Sequence, residues 1–236
     1  MTPFIAEFIG TMLLITLGQG VVANVLLNKT KGNNSGLIVI AIGWGIAVFI
    51  GVYSSVYLGG KGHINPAVTL AMAYLGKLDN NLVLTYILAQ FAGAITGAFI
   101  AWLAYRQHFN VTEDGNTKLG VFSTSPAIPS VADNIISEVI GTFVLVLGGL
   151  LMSGAEIKLG SFDALPAGLL VLGIGLSLGG PTGYAINPAR DLGPRIAHFL
   201  LPIPNKRDSN WSYAWIPVVG PIAGALLAAI VFNAIQ

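Results

Sequence analysis

Residues 62–68 read Gly-His-Ile-Asn-Pro-Ala-Val and residues 183–191 read Gly-Tyr-Ala-Ile-Asn-Pro-Ala-Arg-Asp, so the run Ile-Asn-Pro-Ala occurs twice. Asn is a strong helix N-cap and Pro is pre-shaped for the first helical position. Each stretch therefore predicts a short helix starting at its Asn, over Asn65–Gly76 and Asn187–Leu200. Glycine-rich chain precedes both: Gly59, Gly60 and Gly62 before the first, Gly179, Gly180 and Gly183 before the second. Both pieces fall short of the roughly 20 apolar residues that a bilayer crossing needs.

The rest of the chain explains why two such fragments exist. Of 236 residues only 9% are charged and 54% are hydrophobic, where a soluble domain carries about a quarter charged. Mean hydropathy is +0.77, and the sequence reads as a polytopic membrane protein. Six apolar stretches are long enough to span: Phe4–Leu27, Gly36–Leu58, Asn81–Tyr105, Val131–Ser153, Ala164–Gly180 and Trp211–Ala234. The first lacks a basic leader and a cleavage site and exceeds a signal-peptide core, so it is expected to remain as a transmembrane helix. Polar connectors fall at Asn28–Ser35, Arg106–Ser130, Ala155–Asp163 and Leu201–Asn210, none of them a domain linker. A net charge of +1 argues against nucleic acid or an acidic partner, and the absence of Cys excludes disulfide and thiol chemistry.

The duplication extends beyond the Asn-Pro pairs. Ala6-Glu7-Phe8-Ile9-Gly10-Thr11 opens the first span, and Ser137-Glu138-Val139-Ile140-Gly141-Thr142 lies in the fourth. Gly93-Ala94-Ile95-Thr96-Gly97-Ala98 in the third span is echoed by Gly220-Pro221-Ile222-Ala223-Gly224-Ala225 in the sixth. These glycines are expected to be close-packing surfaces between helices. A single channel domain, 1–236, is thus predicted: a first repeat over about 1–110, a connecting loop over about 106–130 and a second repeat over about 131–236. Three full spans per repeat make the pair inverted, so the two half-helices enter from opposite faces and meet N-terminus to N-terminus near the midplane.

Irregular backbone at membrane depth is tolerated only where protein buries it or a water-filled cavity borders it. Gly62, His63 and Ile64, and Gly183, Ala185 and Ile186, are therefore expected to wall a lumen with acceptor carbonyls. Asn65 and Asn187, their oxygens engaged in capping, would present amide NH2 groups as paired central donors. Two positive helix ends converging there oppose cations and protons. Glu7 and Glu138, ionisable groups inside spans, admit two roles: proton coupling, or accepting hydrogen bonds from the irregular loop of their own repeat. Their duplicated positions favour the brace. Arg190, three residues beyond Asn187, lies close to the pore and offers several fixed donors with a positive field; pairing with the adjacent Asp191 is awkward because neighbouring helix positions point about 100° apart. Asp191 suits the first turn of a helix, and Arg195 reads as an interfacial residue reaching to water. His63, His108 and His198 lack metal-ligand spacing, so neither a metal nor a cofactor is expected.

The two Asn-Pro-Ala stretches, the duplicated Glu and the Gly-xxx-Gly helices resemble the aquaporin family over essentially the whole chain, specifically its glycerol-facilitator branch. That resemblance implies an all-α membrane protein of six transmembrane helices plus two re-entrant half-helices, a right-handed bundle with one pore per subunit, assembled as a homotetramer. It implies a selectivity filter of Trp44, Gly175, Tyr184 and Arg190, with Gly175 leaving room for a carbon chain. Asp191 and Pro217-Val218 resemble the glycerol-conducting branch. Tyr184 stands where that branch usually has Phe, and Lys61-Gly62 replaces the usual Gly-Ala. The implied activity is passive passage of glycerol, similar small neutral solutes and water through the cell membrane, both termini cytoplasmic. Lys29, Lys31, Arg106, Lys118, Lys206 and Arg207 would then be outside and Lys61, Lys77 and Lys158 inside, against the usual positive-inside bias. The competing readings are an ion-coupled secondary transporter, whose coupling would have to use Glu7 or Glu138, and a channel of the same family whose main solute is water or a protonated small organic acid. An enzyme is not expected, since no nucleophile, base and orienter occur together.

Overall fold

The computed structural model describes residues 2–153 and 160–236. Residues 155–159 of the third polar connector, Lys158 among them, lie outside the described residues. Nine α-helices are found among the described residues: α1 Pro3–Leu26, α2 Leu37–Tyr57, α3 Pro66–Tyr74, α4 Asn80–Val111, α5 Gly115–Phe122, α6 Val131–Met152, α7 Leu165–Leu178, α8 Pro188–Leu200 and α9 Ile216–Ala234. Helices α1, α2, α4, α6 and α9 are long and apolar enough to cross a bilayer. Helix α7 completes the six, but its 14 residues span only about 21 Å against the roughly 30 Å of a hydrocarbon core. It starts one residue after the expected Ala164 and stops at Gly179, where the second pore loop begins. Large apolar side chains such as Ile38, Ile46, Leu84 and Leu88 point outward, as a lipid-facing surface requires.

The helix pairs repeat. Helix α1 packs chiefly on α4, as α6 does on α9, and α2 lies against α7. The half-helices α3 and α8 are exchanged between the halves: α3 packs mainly on α9, and α8 mainly on α4. Glycine permits these approaches. A Cβ at Gly93 or Gly97 would come within 2.4 Å of the Phe8 carbonyl or 2.5 Å of the Met12 carbonyl on α1. On the other side of the bundle, a Cβ at Gly220 would lie 2.7 Å from Glu138 Cβ and one at Gly224 would lie 2.3 Å from the Val139 carbonyl. Lipid tails give helices no hydrophobic reason to associate, so backbone-to-backbone contact of this kind carries much of the packing.

Two helix ends depart from the sequence reading by five or six residues, and one helix was not expected. Helix α4 runs six residues past Tyr105, because Phe109 is fully buried and packs on Phe122 with ring centroids 5.5 Å apart. Helix α9 begins at Ile216 rather than Trp211, since Trp211–Trp215 form tight turns whose preceding carbonyls, Ser209 and Asn210, are held by the Arg195 guanidinium. Helix α5 lies within the polar connector Arg106–Ser130. Asp114 caps it, and hydrogen bonds from the Thr117 side chain and from the Thr117 and Asn116 amides hold its carboxyl below the ordinary range. Its inner face, Leu119, Val121 and Phe122, closes over the bundle. Lys206 covers the C-terminus of α8 by donating to the carbonyls of His198, Phe199 and Leu201 at 2.6–2.7 Å.

Overpacking tests the glycine contacts. Gly224→Ala is expected to destabilise the protein by about 1–3 kcal/mol, read as a lower thermal midpoint in detergent. Gly20→Ala, where an added Cβ meets nothing within 4 Å, should stay within about 0.5 kcal/mol of the parent. Equal midpoints for the two variants would contradict this packing.

Candidate pore and its constriction

The two pore loops leave the helical ladder and turn sharply. Gly62 and Gly183 have φ of +68° and +85°, and Ile64, Tyr184 and Ile186 adopt +43°, +40° and +45°. For a β-branched residue this left-handed conformation is strained, at a cost of order 1–3 kcal/mol each. It persists because each isoleucine is held at both backbone groups. The Ile64 N–H donates to Glu7 Oε2 at 2.7 Å, and its carbonyl accepts from Asn187 Nδ2 at 2.9 Å. The Ile186 N–H donates to Glu138 Oε2 at 2.8 Å, and its carbonyl accepts from Asn65 Nδ2 at 2.8 Å.

Both glutamates are wholly buried. Glu7 accepts from Ser55 Oγ at 2.8 Å, from the His63 amide at 3.1 Å, from the Ile64 amide, and from Gln90 Nε2 at 2.8 Å. Glu138 accepts from Thr182 Oγ1 at 2.7 Å and from the amides of Ala185 and Ile186 at 3.0 and 2.8 Å. A buried carboxylate is tolerable with several donors on it, and donors to an ionised acceptor bind about twice as strongly as neutral pairs. Sequence reasoning did not single out Ser55, Gln90 or Thr182. Their signal was polarity: Ser55 and Gln90 interrupt apolar spans, and Thr182 sits inside the second pore loop.

The asparagines cap as expected, Asn65 Oδ1 accepting from the Ala67 amide at 2.9 Å, and Asn187 Oδ1 from the Ala189 and Arg190 amides at 3.0 and 3.2 Å. Their NH2 groups are not wholly free. One hydrogen of each crosses to the isoleucine carbonyl of the opposite loop, which locks the two half-helix ends together and leaves the second hydrogen for the lumen. His63 Nδ1 lies 3.2 Å from Thr69 Oγ1, and its ring leans on Tyr86.

A cavity of about 150 Å³ runs along this junction. Asn65, Asn187, His63 and Arg190 supply its polar side, while Val48, Val52, Leu145 and Leu170 are among the residues of its apolar side. No protein donor among the described residues reaches the carbonyls of Gly62, His63, Gly183, Tyr184 or Ala185. Trp44, Tyr184 and Arg190 converge at the cavity. The Arg190 guanidinium carbon stands 3.9 Å from the centroid of the Trp44 ring, and the guanidinium makes no hydrogen bond among the described residues.

Gly175 departs from the sequence reading. A Cβ there would meet Tyr184 Cζ at 2.9 Å and its hydroxyl oxygen at 3.0 Å, so the Tyr184 ring occupies the room the glycine leaves. Gly175 thus stands against the Tyr184 ring. Pro217 is buried in the first turn of α9.

Asp191 lies in the first turn of α8 as expected, but Arg195 needs correction. Arg195 does not reach to water. Both side chains are fully buried and pair at 2.7 Å, one helical turn apart. Asp191 further accepts from the Thr124 amide and hydroxyl at 2.7 and 2.6 Å, while Arg195 donates to the carbonyls of Thr124, Ser209 and Asn210. The pair therefore ties α8 to the connector before α6 and to the connector that follows α8, and Arg190 makes no ion pair among the described residues.

A bundle of membrane helices around a cavity, with two half-helices meeting at its centre, defines a multi-pass membrane channel. Residues 1–232 match the family described as Major intrinsic protein, and the chain belongs to that family. It is similar to the probable glycerol uptake facilitator protein of Thermotoga maritima, 53% identical over 233 residues covering 99% of both chains. It is equally similar to the glycerol uptake facilitator protein of Bacillus subtilis, 53% identical over 234 residues covering 99% of this chain and 85% of that one. The X-ray structure of the aquaglyceroporin from Plasmodium falciparum matches with a TM-score of 0.85 at 29% identity, covering 98% of this chain and 94% of that one.

Arg195→Met leaves Asp191 as a buried charge without its partner and should cost about 3–5 kcal/mol in stability. Adding Asp191→Leu should recover part of the loss in thermal midpoint. A double variant no more stable than the single one would contradict the ion-pair account.

Proposed function

We propose that this protein is a passive facilitator through which glycerol and similar small neutral solutes, together with water, cross the cell membrane. The observation that carries the reading is the Arg190 guanidinium: stacked on Trp44, it keeps its donors unspent and faces a cavity with apolar side chains on another side. A polyol has the same division, hydroxyls along one edge and CH groups along the other. Its hydroxyls would bond in turn to Arg190, to the carbonyls of the pore loops and to the remaining amide hydrogens of Asn65 and Asn187. Its carbons would slide along Trp44, Tyr184 and the valine and leucine wall. The selectivity filter is thus Trp44, Tyr184 and Arg190, with Gly175 acting behind Tyr184.

The positive field of Arg190 and of two half-helix N-termini excludes cations, and the amide hydrogens that Asn65 and Asn187 leave for the lumen orient water at the midplane. Ion-coupled transport is disfavoured because Glu7 and Glu138 are saturated with donors and fully buried. Their role is loop bracing. We further place Asp191 and Pro217 as marks of the glycerol-conducting branch, both termini in the cytoplasm, and residues 1–236 as one channel domain of two inverted repeats assembled as a homotetramer.

Proteoliposomes test the reading. Glycerol uptake should rise linearly with concentration and be indifferent to sodium and proton gradients. Permeability equal to that of empty vesicles, or accumulation against a gradient, would contradict it.

A further inference from the structure

We propose that Gly18, on α1, is a positioning residue for solute selectivity: its missing side chain seats the Trp44 indole and so sets the width of the constriction. The inference rests on the facilitator reading and extends it to a residue outside the lumen. A Cβ at Gly18 would lie 2.2, 2.4 and 2.5 Å from Cζ3, Cε3 and Cη2 of Trp44, all in the six-membered ring. Ordinary contact begins at 3.4 Å, so any side chain here drives the ring back by about 1 Å or more. The indole is 3% exposed and already packed, and the free volume beside it is the cavity that it lines with Arg190. The ring would therefore move into the path of the solute, carrying the face on which Arg190 rests.

Helix packing alone does not account for this glycine. Gly10, two turns earlier on α1, meets the Gly51 backbone across a helix crossing. The nearest neighbours of Gly18 all belong to one side chain, Trp44. In the second repeat, Gly149 follows Glu138 by the same interval as Gly18 follows Glu7, yet a Cβ at Gly149 would meet nothing within 4 Å. Gly149 borders the cavity directly. Inverted repeats therefore use one register in two ways: on one side an aromatic ring fills the glycine notch and narrows the pore, and on the other the notch stays open.

Stopped-flow permeability of the full-length protein in proteoliposomes, with ethylene glycol and glycerol as graded probes, tests the assignment. Gly18→Ala should lower glycerol permeability about tenfold, the scale of one methylene in a fitted apolar site, and lower ethylene glycol less, so that the glycerol to ethylene glycol ratio falls. Combining it with Trp44→Phe, which shortens the ring, should restore the ratio to that of Trp44→Phe alone. An unchanged ratio in Gly18→Ala, or a double variant no different from Gly18→Ala, would overturn the proposal. If Gly18→Ala fails to fold, the double variant decides: recovery of folded, conducting protein supports the seat, and failure of both overturns it. A wild-type protein without glycerol flux would overturn the facilitator reading and this inference with it, whereas wild-type flux with an unaltered variant ratio overturns only the role of Gly18.

Discussion

The structure depends on one constraint, that backbone polar groups at the centre of a membrane have no water to bond except in a pore the protein itself builds. Two short loops break the helical ladder there, and every amide and carbonyl they release must find a partner or face the lumen. Glu7 and Glu138 take the amides, reaching in from α1 and α6. The asparagine side chains take the carbonyls of Ile64 and Ile186 from across the junction. Among the described residues, a short run of loop carbonyls and the Arg190 guanidinium stay unpaired beside the cavity, where a hydroxylated solute could use them.

The same logic explains why charge is concentrated beside the second Asn-Pro pair. Asp191 and Arg195 neutralise each other inside the protein and fasten α8 to two connectors. With Asp191 committed to Arg195 and Thr124, the Arg190 guanidinium makes no ion pair among the described residues and keeps its donors. Its contact with Trp44 stabilises a desolvated cation without consuming a hydrogen bond. One charge faces the cavity; the other two hold the wall beside it.

Much of this was legible in the sequence. Asn-Pro at the start of a fragment too short to span, repeated after equivalent glutamates, dictates two half-helices in an inverted pair. The Gly-xxx-Gly motifs gave the helix contacts. Interactions that join residues far apart in the chain were less accessible. The crossed bonds from Asn65 to Ile186 and from Asn187 to Ile64 depend on how two loops meet, and nothing local encodes that. Arg195 looked like an interfacial residue because its partners at Ser209 and Asn210 belong to a connector whose fold the sequence does not announce. Gly175 read as open space because its occupant, Tyr184, comes from another element. Helix α5 was hidden by its polar neighbours, although Asp114 followed by Leu119, Val121 and Phe122 was a usable signal.

Hydrogen exchange at single amides measures the central claim directly. If the glutamate braces close the pore loops, the Ile64 and Ile186 amides, outside any regular helix and beside a wet cavity, will exchange as slowly as interior amides of α1 and α6. Exchange as fast as in the exposed stretch 125–130 would mean that the loops open freely, and would contradict the account.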